Sequence, residues 1–209
     1  MTISSAHSVR LVDTGPGVHL DTCRRPPSQR GKVAANALLP RSAIESALAR
    51  VRGDVNATIL AVSGGYDMAM VAAAGRLGYR VITARSEAGA AFAAAALAWE
   101  TERPALVVVI TSPGVYGTLQ ALHYAFVSRV PLIVLSGESS LPGSVQAGDG
   151  VGGPSVTRLS SALTAWSADI MRPDELPRAL VRAVWIASTQ ARPVHLNVPS
   201  HVAASEISP

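Results

Sequence analysis

The sequence predicts an α/β fold: a three-layer, doubly wound sheet, mainly parallel, with helices on both faces. Three observations predict it. Continuous apolar runs such as Leu106-Val107-Val108-Val109-Ile110 and Leu132-Ile133-Val134-Leu135 lack the alternation of a half-exposed strand, so both faces of the sheet must be covered. Helical stretches separate these runs, as the crossovers between parallel strands require. The turns that follow the runs, Ser63-Gly64-Gly65, Ser112-Pro113-Gly114 and Ser136-Gly137, are built of small residues. In such sheets ligands bind beyond the carboxyl ends of the strands.

Residues 1 to 40 hold Gly15-Pro16-Gly17, Arg24-Arg25-Pro26-Pro27 and Ser28-Gln29-Arg30-Gly31-Lys32 with no sustained period. They read as an N-terminal arm, flexible or docked on a partner, with the basic cluster solvated. The domain proper spans 41 to 203, and 204 to 209 form a tail. A helix from about Ser42 to Arg52 places Ile44, Ala47, Leu48 and Val51 on one face. A buried strand follows at Thr58 to Val62, then a helix from Met68 to Leu77 stopped by Gly78. Next come a strand from Arg80 to Ala84 and an alanine-rich helix from Glu87 to Glu102, closed before Pro104. The strand Leu106 to Thr111 turns at Ser112-Pro113-Gly114 into a helix from about Gly117 to Ser128. Pro131 to Leu135 is a further strand, ending at Ser136-Gly137-Glu138. Residues 139 to 157 form a loop of Gly, Ser and Pro, long enough to be a functional segment. Leu159 to Leu163 reads as helical and Thr164 to Ile170 as a short strand. A long amphipathic helix opens at Pro173-Asp174-Glu175-Leu176-Pro177 and runs to about Ser188, with Asp174 as N-cap and Pro177 in the first turn. Arg192 to Pro199 closes the domain as a strand.

The 209 residues fit one ordinary domain with a sizeable core. Hydrophobic residues make up 48% and charged ones only 15%, which favours a protein covered in part by a partner chain. No apolar stretch reaches membrane-spanning length and the N-terminus lacks a signal-peptide core, so a cytoplasmic protein with no membrane contact is expected. Cys23 is the only cysteine, which excludes an internal disulfide and a cysteine-cluster metal site. The formal charge of +4 comes from thinly spread arginines, with 4% aromatic residues, so no nucleic-acid partner is expected.

Two tempting signals fail on context. Gly148-Asp149-Gly150-Val151-Gly152-Gly153 matches the dinucleotide fingerprint, yet no strand immediately precedes it and Pro154 follows. His7, His19, His123, His195 and His201 show no zinc spacing, so no metal site is expected in this chain, and His195 reads as structural.

Glu87 is different. It follows the run Val81-Ile82-Thr83-Ala84 and opens a helix with hardly any other polar group. The plain role is an acid favoured by the helix dipole. The alternative is a poorly solvated carboxyl, placed where ligands bind, that trades a proton with a ligand.

Four segments in register decide between these roles. From about Ser42 to Val202 the chain resembles the N-terminal, pyrimidine-binding domain of thiamine-diphosphate enzymes of the acetolactate synthase and pyruvate oxidase type. Arg85-Ser86-Glu87-Ala88-Gly89-Ala90-Ala91-Phe92 resembles the family's R-H-E-x-x-A-A-F segment. Ser112-Pro113-Gly114-Val115-Tyr116-Gly117 resembles its G-P-G-x-x-N turn. Arg129 to Glu138 resembles its D-S-x-P-x-x-x-I-x-G strand, and Arg192 to Pro199 its G-P-V-x-x-x-I-P terminus. Departures are Ala61-Val62-Ser63-Gly64 for G-x-P-G, Ser112 for glycine and Gly117 for asparagine; Gly152 and Ser155 stand for the usual glutamine and aspartate.

The resemblance implies that Glu87 is catalytic, hydrogen-bonding a ring nitrogen of the cofactor's aminopyrimidine and so activating it. It implies a cofactor-binding set of Ser63, Gly64, Glu87, Ser112, Pro113, Gly114 and Tyr116. The cofactors implied are thiamine diphosphate and Mg²⁺, both largely held by a separate diphosphate-binding subunit, in an α₂β₂ assembly active only with both chains. Gly148-Asp149-Gly150 imitates the diphosphate motif, but no asparagine follows at 175 to 180. The implied reaction is decarboxylation of a 2-oxo acid with transfer of the acyl unit in carbon–carbon bond formation. A simple 2-oxo acid decarboxylase subunit and a catalytically silent regulatory or scaffold relic are the alternatives.

Overall fold

The computed structural model describes residues 42–138 and 155–207. The arm, the glycine-rich part of the 139 to 157 loop, Gly152 and the imitation diphosphate motif lie outside the described residues.

Among the described residues six parallel strands form one sheet in the order β2-β1-β3-β4-β6-β5. They are β1 (Thr58–Val62), β2 (Arg80–Thr83), β3 (Ala105–Ile110), β4 (Leu132–Glu138), β5 (Trp166–Asp169) and β6 (Val194–Pro199). The helices are α1 (Ala43–Val51), α2 (Met68–Arg76), α3 (Glu87–Thr101), α4 (Pro113–Val127), α5 (Val156–Ser160), α6 (Leu176–Gln190) and α7 (Ser200–Ala204). One core layer joins Ile44 and Leu48 of α1, Met70 of α2, Leu180 of α6 and Val202 of α7 to one face of the sheet. The other joins the alanines of α3 and Ala121, Leu122 and Ala125 of α4 to the opposite face. β3 and β4 lie at the centre, and their apolar side chains from Ala105 to Val109 and from Leu132 to Leu135 are buried. That is why these runs do not alternate.

Local chemistry fixes the ends. Ser42 caps α1 in a reciprocal capping box: its hydroxyl accepts from the Glu45 N–H (3.3 Å) and the Glu45 carboxylate accepts from its N–H (3.1 Å). Gly78, at φ 76°, takes the left-handed turn that ends the α2 region, a conformation glycine adopts without strain.

Four boundaries differ from the sequence reading. α4 begins at Pro113, not near Gly117, because Ser112-Pro113-Gly114 is the helix start itself; proline fits the first helical position, where its missing N–H costs nothing. β4 continues through Ser136 to Glu138, because buried hydrogen bonds satisfy its polar residues. α5 starts at Val156. α6 starts at Leu176 with Glu175 at the cap and no side-chain cap bond; Asp174 pairs with Arg172 at 3.0 Å instead.

Candidate active site

The strand order places β2, β1 and β3 side by side, so the segments after them converge at one end of the sheet. Glu87 follows β2, Ser63 and Gly64 follow β1, and Ser112, Pro113 and Gly114 follow β3. All of the sequence-derived site residues therefore belong to this end.

Glu87 is the first residue of α3. Ser86 stands before it in extended conformation and its hydroxyl accepts the Gly89 N–H (3.2 Å), which starts the helix at that register. Ala90, Ala91, Ala94, Ala95 and Ala98 are fully buried, so α3 lies close to the sheet and to α4. At the start of the second turn of α4 the contact reaches Gly117. A Cβ there would stand 2.9 Å from Glu87 Cβ and 3.5 Å from its Oε2. The glycine is what leaves room for the glutamate.

Glu87 is half-buried within this chain. Within this chain α4 covers one flank of its side chain, and Arg85 and Ser86 beside it are exposed.

The segment after β1 is a tight loop. Gly64 donates its N–H to Asp67 Oδ1 (2.9 Å), and a Cβ on Gly64 would meet Ile110 Cγ2 at 2.5 Å. The loop lies across the end of β4: a Cβ on Gly137 would stand 2.7 Å from the backbone of Tyr66 and Asp67. This buries Asp67 completely and leaves its Oδ2 without a hydrogen-bond partner. The segment after β3 shows the same pattern. The Thr111 N–H bonds the Gly137 carbonyl (2.8 Å), while the buried Thr111 Oγ1 has no partner. Ser112 is held at φ 40°, ψ −96°, a conformation that costs roughly 1–3 kcal/mol for a residue with a side chain. Gly114 packs tightly, with a Cβ there 3.1 Å from Ile110 Cγ1, and Tyr116 is exposed on the outer side of α4.

Unpartnered buried oxygens are rare in folded proteins, and strained backbone persists only where the surroundings enforce it. Here both occur around Gly137. Small-residue walls with one carboxyl at their edge fit a flat heterocycle whose rim carries ring nitrogens. Among the described residues no group of three or more His, Cys, Asp or Glu comes together that could hold a metal ion.

A second polar group lies deep between β4, β6, β5 and α5. His195 is fully buried, and its imidazole is lowered to about 4 by burial, opposed by the Asp169 carboxylate. Its Nε2 is 2.8 Å from Ser136 Oγ and its Nδ1 2.7 Å from Ser160 Oγ. Ser136 donates to Asn197 Oδ1 (2.7 Å), so its oxygen must accept from Nε2–H; the ring is then the Nε2–H tautomer and accepts from Ser160. The Asn197 amide donates to Glu138 (2.6 Å) and Asp169 (2.9 Å). This agrees with a structural His195. Sequence reasoning missed the network, Asp67, Thr111 and the packing role of Gly117. For Gly117 a signal existed, the departure from asparagine in the G-P-G segment.

Comparisons with known proteins bear on the family and the fold. Residues 47–152 match the family model described as thiamine pyrophosphate enzyme, N-terminal TPP binding domain. A probable 2-ketoarginine decarboxylase, AruI, of Pseudomonas aeruginosa is 31% identical over 156 residues, 72% of this chain and 27% of the relative. A probable chloroplastic acetolactate synthase of Oryza sativa subsp. japonica is 29% identical over 119 residues, 56% of this chain and 18% of the relative. The chain thus spans about a quarter or less of the length of these curated relatives. Among solved structures, benzoylformate decarboxylase of Polynucleobacter necessarius superposes with a TM-score of 0.72 at 21% identity, covering 81% of this chain and 32% of that one; this likeness concerns the fold.

Proposed function

The chain belongs to the thiamine pyrophosphate enzymes, as their N-terminal TPP-binding domain, and from that premise we propose that it is the pyrimidine-domain subunit of an enzyme that decarboxylates a 2-oxo acid. The observation that carries the proposal is Glu87. It stands in the first turn of α3, seated against Gly117, at the end of the sheet where the segments after β1 and β3 also lie.

Thiamine diphosphate, when bound, supplies the carbon nucleophile and electron sink for a 2-oxo acid. This chain's part is to hold the pyrimidine half. Glu87 exchanges a proton with a ring nitrogen. Gly117 keeps its side chain on one course, and Ser63, Gly64, Ser112, Pro113 and Gly114 form walls too small to block a flat ring. Tyr116, exposed on α4, is assigned to the rim.

The diphosphate and its Mg²⁺ are assigned to a second chain in an α₂β₂ assembly. Support comes from an aromatic surface next to the site: Phe92 and Tyr124 pack against each other (centroids 6.0 Å apart) yet remain exposed, and Tyr116, about two turns before Tyr124 on the same helix, is exposed as well. Exposed aromatic clusters of this kind are typical of covered interfaces. The proposed second step is transfer of the acyl unit to an aldehyde or ketone, as the similarity to an acetolactate synthase suggests. A decarboxylase that stops at the aldehyde is the second reading, favoured by the similarity to AruI over 72% of the chain. A cytoplasmic location belongs to the same proposal; among the described residues no helix is long and apolar enough to cross a membrane.

The test is co-expression with the diphosphate-binding chain and product analysis from a 2-oxo acid with and without an aldehyde acceptor. Carbon–carbon bonded product supports the transferase, and aldehyde alone the decarboxylase. Equal turnover by wild type and Glu87→Gln would remove the proposed role of Glu87.

A further inference from the structure

We propose that a cavity at the far end of α3 binds a free α-amino acid with an apolar side chain. The cavity has a volume of about 380 Å³ and is lined by Trp99, Glu102, Arg129, Pro131, Ser188 and Ala191 among others. It lies at the amino-terminal end of the sheet. The fifteen residues of α3 separate it from Glu87 by about 20 Å. Its size falls within the range of small-molecule sites.

Charge defines the ligand class. Glu102 and Arg129 line the same cavity, yet no ion pair among the described residues joins them. Opposite charges held apart across a cavity suit a ligand that carries both signs. The carboxyl ends of α3 and α6 reach the same place, and neither helix has a basic residue in its last turn. Free carbonyls at a helix C-terminus favour a cation, so Glu102 and these carbonyls attract an ammonium. Arg129 offers a guanidinium that pairs with a carboxylate through two parallel hydrogen bonds. The Trp99 ring, 58% exposed, and Pro131 provide an apolar wall for the side chain. A simple cation would meet Arg129, and a dicarboxylate would meet Glu102. A zwitterion satisfies both.

The backbone at these helix ends adds a further observation. Of the four non-glycine residues with positive φ among the described residues, three line this cavity: Glu102 (54°), Arg129 (57°) and Ala191 (49°). Left-handed backbone is unfavourable for side chains such as these, and residues held in it cluster at ligand sites. Glycine would serve all three helix ends without strain. The chain instead keeps the two charged side chains at the cavity.

The proposal does not rest on the thiamine diphosphate reading. It is tested by calorimetric titration of the full chain with L-leucine and L-phenylalanine as probes, beside L-leucinamide, which lacks the carboxylate, and N-acetyl-L-leucine, which lacks the ammonium. Saturable binding of at least one free amino acid is expected, with both blocked forms about tenfold weaker or worse. Glu102→Gln and Arg129→Gln should each weaken the free amino acid by a similar factor. Both residues are exposed, so the variants should keep the wild-type melting temperature, and a circular-dichroism melt checks this. Absence of saturable binding by either amino acid up to about 10 mM, tenfold above a dissociation constant of about 1 mM, would overturn the proposal. Equal affinity for a blocked form, or for either folded variant, would do the same.

Discussion

Two polar regions of this molecule are built on opposite terms. At the carboxyl ends of β1 and β3, Asp67 Oδ2 and Thr111 Oγ1 are buried without partners, Ser112 is strained, and Glu87 is only half-buried. Directly beside that region, starting from Ser136 and Glu138 on either side of Gly137, these two residues form with His195, Asn197, Asp169 and Ser160 a network in which hydrogen bonds join neighbour to neighbour. Both regions hold a titratable side chain among small residues. The difference lies in what has been left open. A saturated network rigidifies the fold and has nothing to give a ligand, whereas an unsaturated one keeps capacity in reserve. The contrast separates a region with unmet hydrogen-bonding capacity, where the proposed function puts the cofactor, from one whose bonds are spent on holding the fold.

The largest expected effect breaks the first region alone. Glu87→Gln keeps the shape of the side chain and removes its proton chemistry. Turnover of a 2-oxo acid by the assembled enzyme should fall roughly 10²–10⁴-fold, the usual worth of a positioned acid or base. Initial rates at saturating cofactor measure it.

The next effect breaks the second region. His195→Leu removes the ring that links Ser136 to Ser160 and leaves buried hydroxyls short of a partner. Global stability should fall by about 1–3 kcal/mol, read by urea unfolding. The wild type should also show the pH signature of this ring. Its folded value of about 4 lies below the ordinary 6.5, so its contribution is complete above about 6.5 and is lost as the pH falls from there towards 4. The loss across that window is on the order of 3 kcal/mol, and the His195→Leu variant should lack it.

These contrasts show how far the linear sequence reaches. β1, β3 and β4 are written in local hydrophobicity, and their apolar runs end within a few residues of the observed boundaries; β5, Trp166-Ser167-Ala168-Asp169, has no such run. Ser112-Pro113-Gly114 misleads because the same residues that form turns also begin helices, and only the packing of Gly114 on Ile110 and Val109 decides. β4 looks shorter than it is because Ser136, Gly137 and Glu138 read as polar; their partners, His195 and Asn197, lie about sixty positions away. Glu87 stands out since its signal is local: a strand end, a helix start and an alanine run. Asp67 gives no such signal, because its burial depends on the missing side chain of Gly137 on another strand.

Smaller effects sharpen the comparison at its edges. Gly117→Ala would ordinarily stabilise a helix by up to about 1 kcal/mol. Here the added methyl stands 2.9 Å from Glu87 Cβ, so stability should fall by about 1 kcal/mol and turnover by roughly tenfold as the carboxyl shifts. A double-mutant cycle with Glu87→Gly, which removes the opposing Cβ, should abolish the stability loss. Ser112→Gly relieves the positive φ and should raise stability by up to about 1 kcal/mol, seen as a small increase in Tm.

The most direct measurement takes Glu87→Gln and His195→Leu in the same assembled enzyme and records both turnover and Tm for each. The expected result is a crossed pattern. Glu87→Gln loses at least about a hundredfold in turnover with its Tm unchanged, and His195→Leu loses several degrees of Tm while the folded enzyme keeps most of its turnover. A Glu87→Gln enzyme that turns over at the wild-type rate but melts at a lower temperature would contradict the account, and would return Glu87 to the role of a helix-end acid.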